Sequence, residues 1–134
     1  MGFRILEKIG VALGNKKVNN DYFINQVIDE TQRKSLSHYY EDISGKDIRY
    51  IADESQTSLT LAYEAAKKAI QENEVSGKEI DLVICISHTP EYVSPTMSRY
   101  VVEAIDGKED IQYFDMNQNC TGMLVAMDIA NRYF

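Results

Sequence analysis

Ile111-Gln112-Tyr113-Phe114-Asp115-Met116-Asn117-Gln118-Asn119-Cys120-Thr121-Gly122-Met123-Leu124-Val125-Ala126-Met127-Asp128 is the stretch that decides the fold. Residues 111–114 form a short β-branched and aromatic run that reads as a strand. Residues 123–130 are almost unbroken apolar sequence rich in helix formers. The polar turn between them delivers Cys120 to the first turn of the helix. A thiol there stands at the positive end of the helix macrodipole, beside backbone N–H groups that have no helical partner. Such a place favours the thiolate and supplies donors for a developing oxyanion. The arrangement parallels the strand–turn–helix elbow that presents a serine nucleophile in some hydrolases, with sulfur in place of oxygen. Gly122 admits close approach of another backbone to the turn.

The helix carries a second message. Met123, Leu124, Val125, Ala126, Met127, Ile129 and Ala130 point in every direction around its axis, and a helix apolar all round belongs inside a large core or a membrane. Asp128, Asn131 and Arg132 argue against a membrane, and the run is too short to span one. The helix is therefore expected at the centre of a core larger than this chain.

Working outward, residues 80–86 form a nearly continuous apolar run that ends in Ser87-His88-Thr89-Pro90. It follows a helix and is bounded by turn signals, so it reads as a strand buried on both faces, as in a parallel sheet. Cys85 inside it reads as core. The preceding helix is capped by Thr57 or Ser58 and runs to about Asn73, with Leu61, Ala62, Ala65, Ala66, Ala69 and Ile70 on one narrow face. Ser94-Pro95 reads as a cap followed by proline at the first position of another helix, which Gly107 stops. Towards the start of the chain, residues 3–13 read as a strand bent at Gly10, and residues 14–17 as a loop. Asn19 or Asn20 then caps a short helix as far as Val27. Residues 29–56 show no clear period and read as an irregular excursion or surface flap. The order β-α-α-β-α-β-α predicts an α/β layered fold with a mainly parallel sheet.

The length of 134 residues suits a single domain, residues 1–134. A hydrophobic fraction of 44% and a charged fraction of 26% are those of an ordinary globular protein. The net charge of −7 disfavours nucleic-acid binding and suits a cytoplasmic protein. No secretory signal is visible at the start, and Leu6 breaks a superficial myristoylation pattern. Two cysteines in such different contexts do not suggest a disulfide. Together with two histidines they fit no zinc spacing, and no C-x-x-C is present. His88 follows a strand at its carboxyl end, where ligand sites of α/β sheets gather; it either lines the site or is a hydrogen-bonded structural histidine. His38 has polar neighbours and reads as a surface residue. Cys120 remains the strong candidate, although a nucleophilic cysteine needs a base or charge partner that nothing in the chain clearly supplies.

At this point the chain resembles a known family. Residues 9–13 (IGVAL), 62–69 (AYEAAKKA), 80–85 (IDLVIC) and above all 114–122 (FDMNQNCTG) are similar to the amino-terminal part of β-ketoacyl-acyl-carrier-protein synthase III, a condensing enzyme of the thiolase superfamily. The resemblance covers essentially the whole chain and less than half of a full-length member. It implies a thiolase-like layered α/β/α half-fold, incomplete at the C-terminus. It also implies that Cys120 takes an acyl group from acyl-coenzyme A as a thioester and then receives a carbanion formed by decarboxylation of malonyl-carrier protein, with its own N–H as half of the oxyanion hole. The family's catalytic histidine and asparagine lie in the carboxyl-terminal half, so neither His88 nor Asn119 takes those roles. At the coenzyme A entrance Tyr39 stands for a family tryptophan, Ile43 falls where an arginine would be, and Arg49 matches a later arginine. No cofactor is implied beyond acyl-coenzyme A and acyl carrier protein as substrate partners. Self-association is expected, with residues 111–114 pairing across a two-fold axis. Two other readings stand beside this one: a non-catalytic oligomerisation or acyl-binding scaffold, and a cysteine hydrolase, which the missing base disfavours.

Overall fold

The computed structural model describes residues 6–133, which fall into two compact units. The unit Leu13–Gln56 is built on a short antiparallel pair. Strand β1 (Lys16–Asn19) runs against β2 (Ile48–Ile51), with Lys16 opposite Ile51 and Asn19 opposite Ile48. Residues 14–17 were expected as loop, yet Lys16 and Lys17 belong to this ladder. The short helix α1 (Asp21–Ile24) follows Asn20, whose side chain does not cap it, and it ends before Val27. The expected irregular excursion is in fact ordered. Asp29 accepts from the Gln32 amide and caps α2 (Glu30–His38), a π-helical turn (Tyr39–Ser44) continues it, and β2 follows. Helix α2 buries no residue, so its sequence carries no apolar period, and only the cap betrays it.

The second unit holds the described residues up to Ala12 together with those from Thr57 onward. Helix α3 (Ser58–Glu72) opens on a capping box in which the Thr57 hydroxyl accepts from the Thr60 amide at 3.2 Å and the Thr60 hydroxyl from the Thr57 amide at 2.8 Å. The expected strand at residues 3–13 is not one over its described part, and residues 3–5 lie outside the described residues. Residues 8–11 instead lie along α3, held by its side chains. The Asn73 amide side chain closes two bonds on Lys8, each 2.9 Å, and the Lys68 ammonium donates to the Val11 carbonyl at 3.1 Å.

Strand β3 (Leu82–Ile86) pairs in parallel with β4 (Gln112–Met116), Leu82 opposite Gln112 and Ile86 opposite Met116. Every residue of β3 is half-buried rather than buried on both faces, because among the described residues it has a ladder partner on one side only. An apolar groove of about 420 Å³ runs between its side chains and the alanine face of α3. Helix α4 (Met97–Ala104) crosses from β3 to β4 and buries Met97, Ser98, Val101 and Val102. With Leu59, Ile111 and Ala126, the apolar Met97, Val101 and Val102 form the core of this unit, and Ser98 is buried but polar. The helix begins two residues later than Ser94-Pro95 suggests. Its cap comes from another element, the Asp115 carboxylate of β4, and not from its own N-cap residue, Thr96. The chain reverses after it at Asp106, which takes the left-handed conformation (φ +52°) one residue ahead of Gly107.

Candidate active site

Helix α5 (Gly122–Tyr133) follows β4 after a turn at residues 117–121. The Gly122 amide donates to the Asn119 carbonyl at 2.8 Å, and the Val125 amide to the Thr121 carbonyl at 3.1 Å. Cys120 therefore lies in the turn just ahead of the helix, not in its first turn, because the first helical carbonyl is that of Thr121. Its thiol is free and exposed. The turn is closed by Gln118, whose amide side chain donates to the Thr121 hydroxyl at 3.3 Å. Gly122 is required here by packing. A Cβ at this position would fall 2.6 Å from Ile86 Cγ2 and 3.2 Å from Gln118 Cβ, so its close neighbours are side chains and not the expected backbone.

Of α5, only Gly122 and Ala126 are buried; Met123 is 62% and Leu124 64% exposed. Asp128 and Arg132 pair along the helix at 2.9 Å, and the Tyr133 ring stacks on Phe114 of β4 with centroids 6.4 Å apart. The helix thus presents an apolar surface to solvent within this chain, of the kind that marks a contact with further protein.

His88 lies two residues beyond β3, at the same carboxyl edge of the parallel pair as Cys120. It is exposed and makes no hydrogen bond among the described residues, so the reading of it as a hydrogen-bonded structural histidine is not met. His38 is an exposed residue whose ring nitrogen meets Asp42 one turn along. Tyr39 and Arg49 belong to the Leu13–Gln56 unit. Tyr39 is exposed, its ring centroid 5.7 Å from that of Tyr40. The Arg49 guanidinium lies 4.2 Å from the Tyr40 ring centroid and 5.4 Å from that of Phe23, and it donates to Asn20 Oδ1. The cluster is held by cation–π contacts and fixes Arg49 in place. Ile43 is exposed. Among the described residues, no group of three or more His, Cys, Asp or Glu side chains could hold a metal ion.

Cys85 is also free, but it is half-buried in β3. Burial, and after it the charge of Asp115 opposite it in the ladder, pushes its thiol up to about 12. The folded state then holds this proton more tightly than the unfolded chain does. The resulting stability is fully present below about pH 9 and is lost as pH rises from there towards about 12. The melting temperature advantage of the parent over Cys85→Ala is thus expected to narrow between about pH 8 and pH 11. Iodoacetamide at about pH 8 is expected to label Cys120 and spare Cys85, read by peptide mass mapping.

Sequence reasoning read the strand–turn–helix around Cys120, but set Cys120 in the first turn of the helix where the structure sets it ahead of the helix. It missed Asp115 as a helix cap, since the donors lie 17 and 18 residues away and no local signal links them.

No protein-family model matches the chain. The β-ketoacyl-[acyl-carrier-protein] synthase III of Rhizorhabdus wittichii is 39% identical over 122 residues, which are 91% of this chain and 36% of that protein. The crystal structure of 3-oxoacyl-[acyl-carrier-protein] synthase III from Aquifex aeolicus superposes with a TM-score of 0.74 at 27% identity, over 93% of this chain and 38% of that one. The chain resembles the amino-terminal part of β-ketoacyl-acyl-carrier-protein synthase III. A second structure, the priming β-ketosynthase from the R1128 polyketide biosynthetic pathway, shares the fold with a TM-score of 0.78 at 22% identity. The chain spans well under half the length of these relatives, 36%, 38% and 39% respectively. Its fold is accordingly part of a thiolase-like α/β fold, and its parallel pair β3–β4 leads into the turn that holds Cys120.

Proposed function

We propose that this chain is part of a condensing acyltransferase of fatty-acid or polyketide-type synthesis, with Cys120 as the nucleophile. The observation that carries the reading is an exposed free thiol in the turn between a parallel strand and a helix, in a chain 39% identical to a synthase III. In the proposed cycle the Cys120 thiolate attacks the acyl carbonyl of acyl-coenzyme A. The carbonyl–sulfur bond to coenzyme A breaks, and the coenzyme A thiolate leaves and takes a proton. Decarboxylation of malonyl-carrier protein then releases carbon dioxide and gives a carbanion. That carbanion attacks the thioester on Cys120, and the β-ketoacyl-carrier protein departs as the thiolate is restored. The Cys120 amide contributes one donor to the oxyanion.

His88 at the same sheet edge lines this site in the proposal, and Tyr39 with Arg49 meets coenzyme A. No cofactor takes part. Residues 1–134 form one continuous piece of a single thiolase-like unit, since the likeness to the relatives runs through nearly the whole chain. A catalytic histidine and asparagine come from outside it, so the chain alone does not complete a condensation. The protein works in the cytoplasm; no described helix is long and apolar enough to cross a membrane. Mass spectrometry of the chain after incubation with acetyl-coenzyme A and longer esters tests the reading, with a thioester expected on Cys120 and none on Cys120→Ser.

The exposed apolar residues of α5 favour a second reading, a scaffold for oligomerisation or acyl binding in which Cys120 need not react. Both readings predict self-association, through the edge of β4 that has no ladder partner among the described residues, across a two-fold axis, or through α5. Sedimentation velocity of the isolated chain is expected to show dimers or larger species, and a purely monomeric profile would count against both.

A further inference from the structure

We propose that Asp115 is a positioning residue for the Cys120 turn, an inference that rests on the reading of Cys120 as the nucleophile. Successive side chains of β4 point to opposite faces of the pair. Phe114 stacks against Tyr133 near the end of α5. Asp115, on the other face, accepts from the Met97 amide at 2.7 Å through one carboxylate oxygen and from the Ser98 amide at 2.8 Å through the other. Both donors are first-turn amides that the helix cannot satisfy internally, and the negative charge sits at the positive end of the α4 dipole. Such charge-assisted bonds are roughly twice as strong as neutral ones. They anchor against the core, since Ser98 is fully buried and Met97 nearly so.

The anchor serves two segments at once. Residues 87–96 leave β3 with His88 and return at the start of α4, so Asp115 fixes where that segment ends. Five residues beyond Asp115, the Cys120 turn closes against Ile86 of β3 through Gly122, while the Ser87 amide donates to the Met116 carbonyl at 3.1 Å. The carboxylate therefore ties the helix that ends the His88 segment to the strand that begins the cysteine turn. The geometry calls for two acceptors. Asparagine keeps one and turns an N–H₂ donor towards the second amide, whereas glutamate keeps both on a stem longer by one methylene.

The test is the rate of Cys120 alkylation by iodoacetamide in the folded full chain, resolved by peptide mass, with hydrogen exchange across residues 117–122. Val102→Ala removes a core side chain of α4 without touching the carboxylate, and serves as a control for stability alone. Asp115→Ala and Asp115→Asn are expected to slow alkylation at least about threefold, as a loosened turn no longer holds the exposed thiol in one place. Both should speed exchange in the turn, with Asp115→Glu recovering part of the loss. Should Asp115→Ala not fold, the Asn and Glu variants carry the comparison. Unchanged alkylation in the Asp115 variants, or an equal slowing in Val102→Ala, overturns the proposal. Alkylation needs no acyl donor, so the two readings fail separately. Absence of any acyl adduct on Cys120 alongside slowed alkylation sinks the nucleophile and leaves the positioning role standing.

Discussion

Cys120→Ser is expected to abolish acyl labelling, by at least about a thousandfold in rate, whether the thioester donor meets this chain or a longer protein that contains it. The size of the effect follows from the chemistry. A serine hydroxyl in the same turn is almost wholly protonated near neutral pH, and it attacks a thioester only with a base beside it. No side chain among the described residues hydrogen-bonds to Cys120 to act as one. A thiol depends less on such a base, because sulfur is intrinsically the stronger nucleophile. The check is peptide-resolved mass spectrometry with a hydroxylamine wash, which removes thioesters. Label that survives in Cys120→Ser, or that maps to Cys85, would mean the exposed turn is not the acyl site. Cys85 is a stringent internal control, since burial keeps its thiol protonated across the working range.

Gly10→Ala carries the largest expected loss of stability. A Cβ at Gly10 would fall 1.9 Å from the Ala65 carbonyl oxygen and 2.4 Å from the Ala69 amide nitrogen, both backbone atoms of α3. Neither can yield without breaking the helix ladder or lifting residues 8–11 away from the Asn73 and Lys68 bonds that hold them. Such overpacking against backbone is expected to cost about 3–5 kcal/mol and to lower the melting temperature by roughly 10 °C or more. Gly45→Ala makes the contrast. Gly45 sits in the left-handed region (φ +59°) with open space around it, so the methyl group meets only conformational strain, about 1 kcal/mol. Thermal unfolding by circular dichroism ranks the two. If Gly10→Ala melts with Gly45→Ala or above it, residues 8–11 do not lie on α3 as described.

The second unit's elements were readable where local chemistry and tertiary packing agree. Thr57 and the alanine stripe announce α3, since the cap is local and the stripe is the half-buried face that lines the apolar groove. The runs read as strands at residues 80–86 and 111–114 were likewise legible as strands, though β3 starts only at Leu82 and β4 runs from Gln112 on to Met116, into residues read as turn. Helix α2 was hidden for the opposite reason: it buries nothing, so no period marks it. The strand expected at the start of the chain has strand-like residues, yet its described part is bonded by α3 side chains and not by a ladder.

What the sequence by itself determined is the chemistry on offer: one thiol at a strand–helix turn, and a helix too apolar to stand alone. The tertiary structure decided the rest. It set Cys120 just ahead of α5, raised Cys85 by burying it beside Asp115, and joined Asp115 to amides 17 and 18 residues earlier in the chain. The reason is physical. A residue's own type and near neighbours fix its propensity and its reactive group, but burial, long-range capping and ladder pairing exist only once distant segments have been brought together.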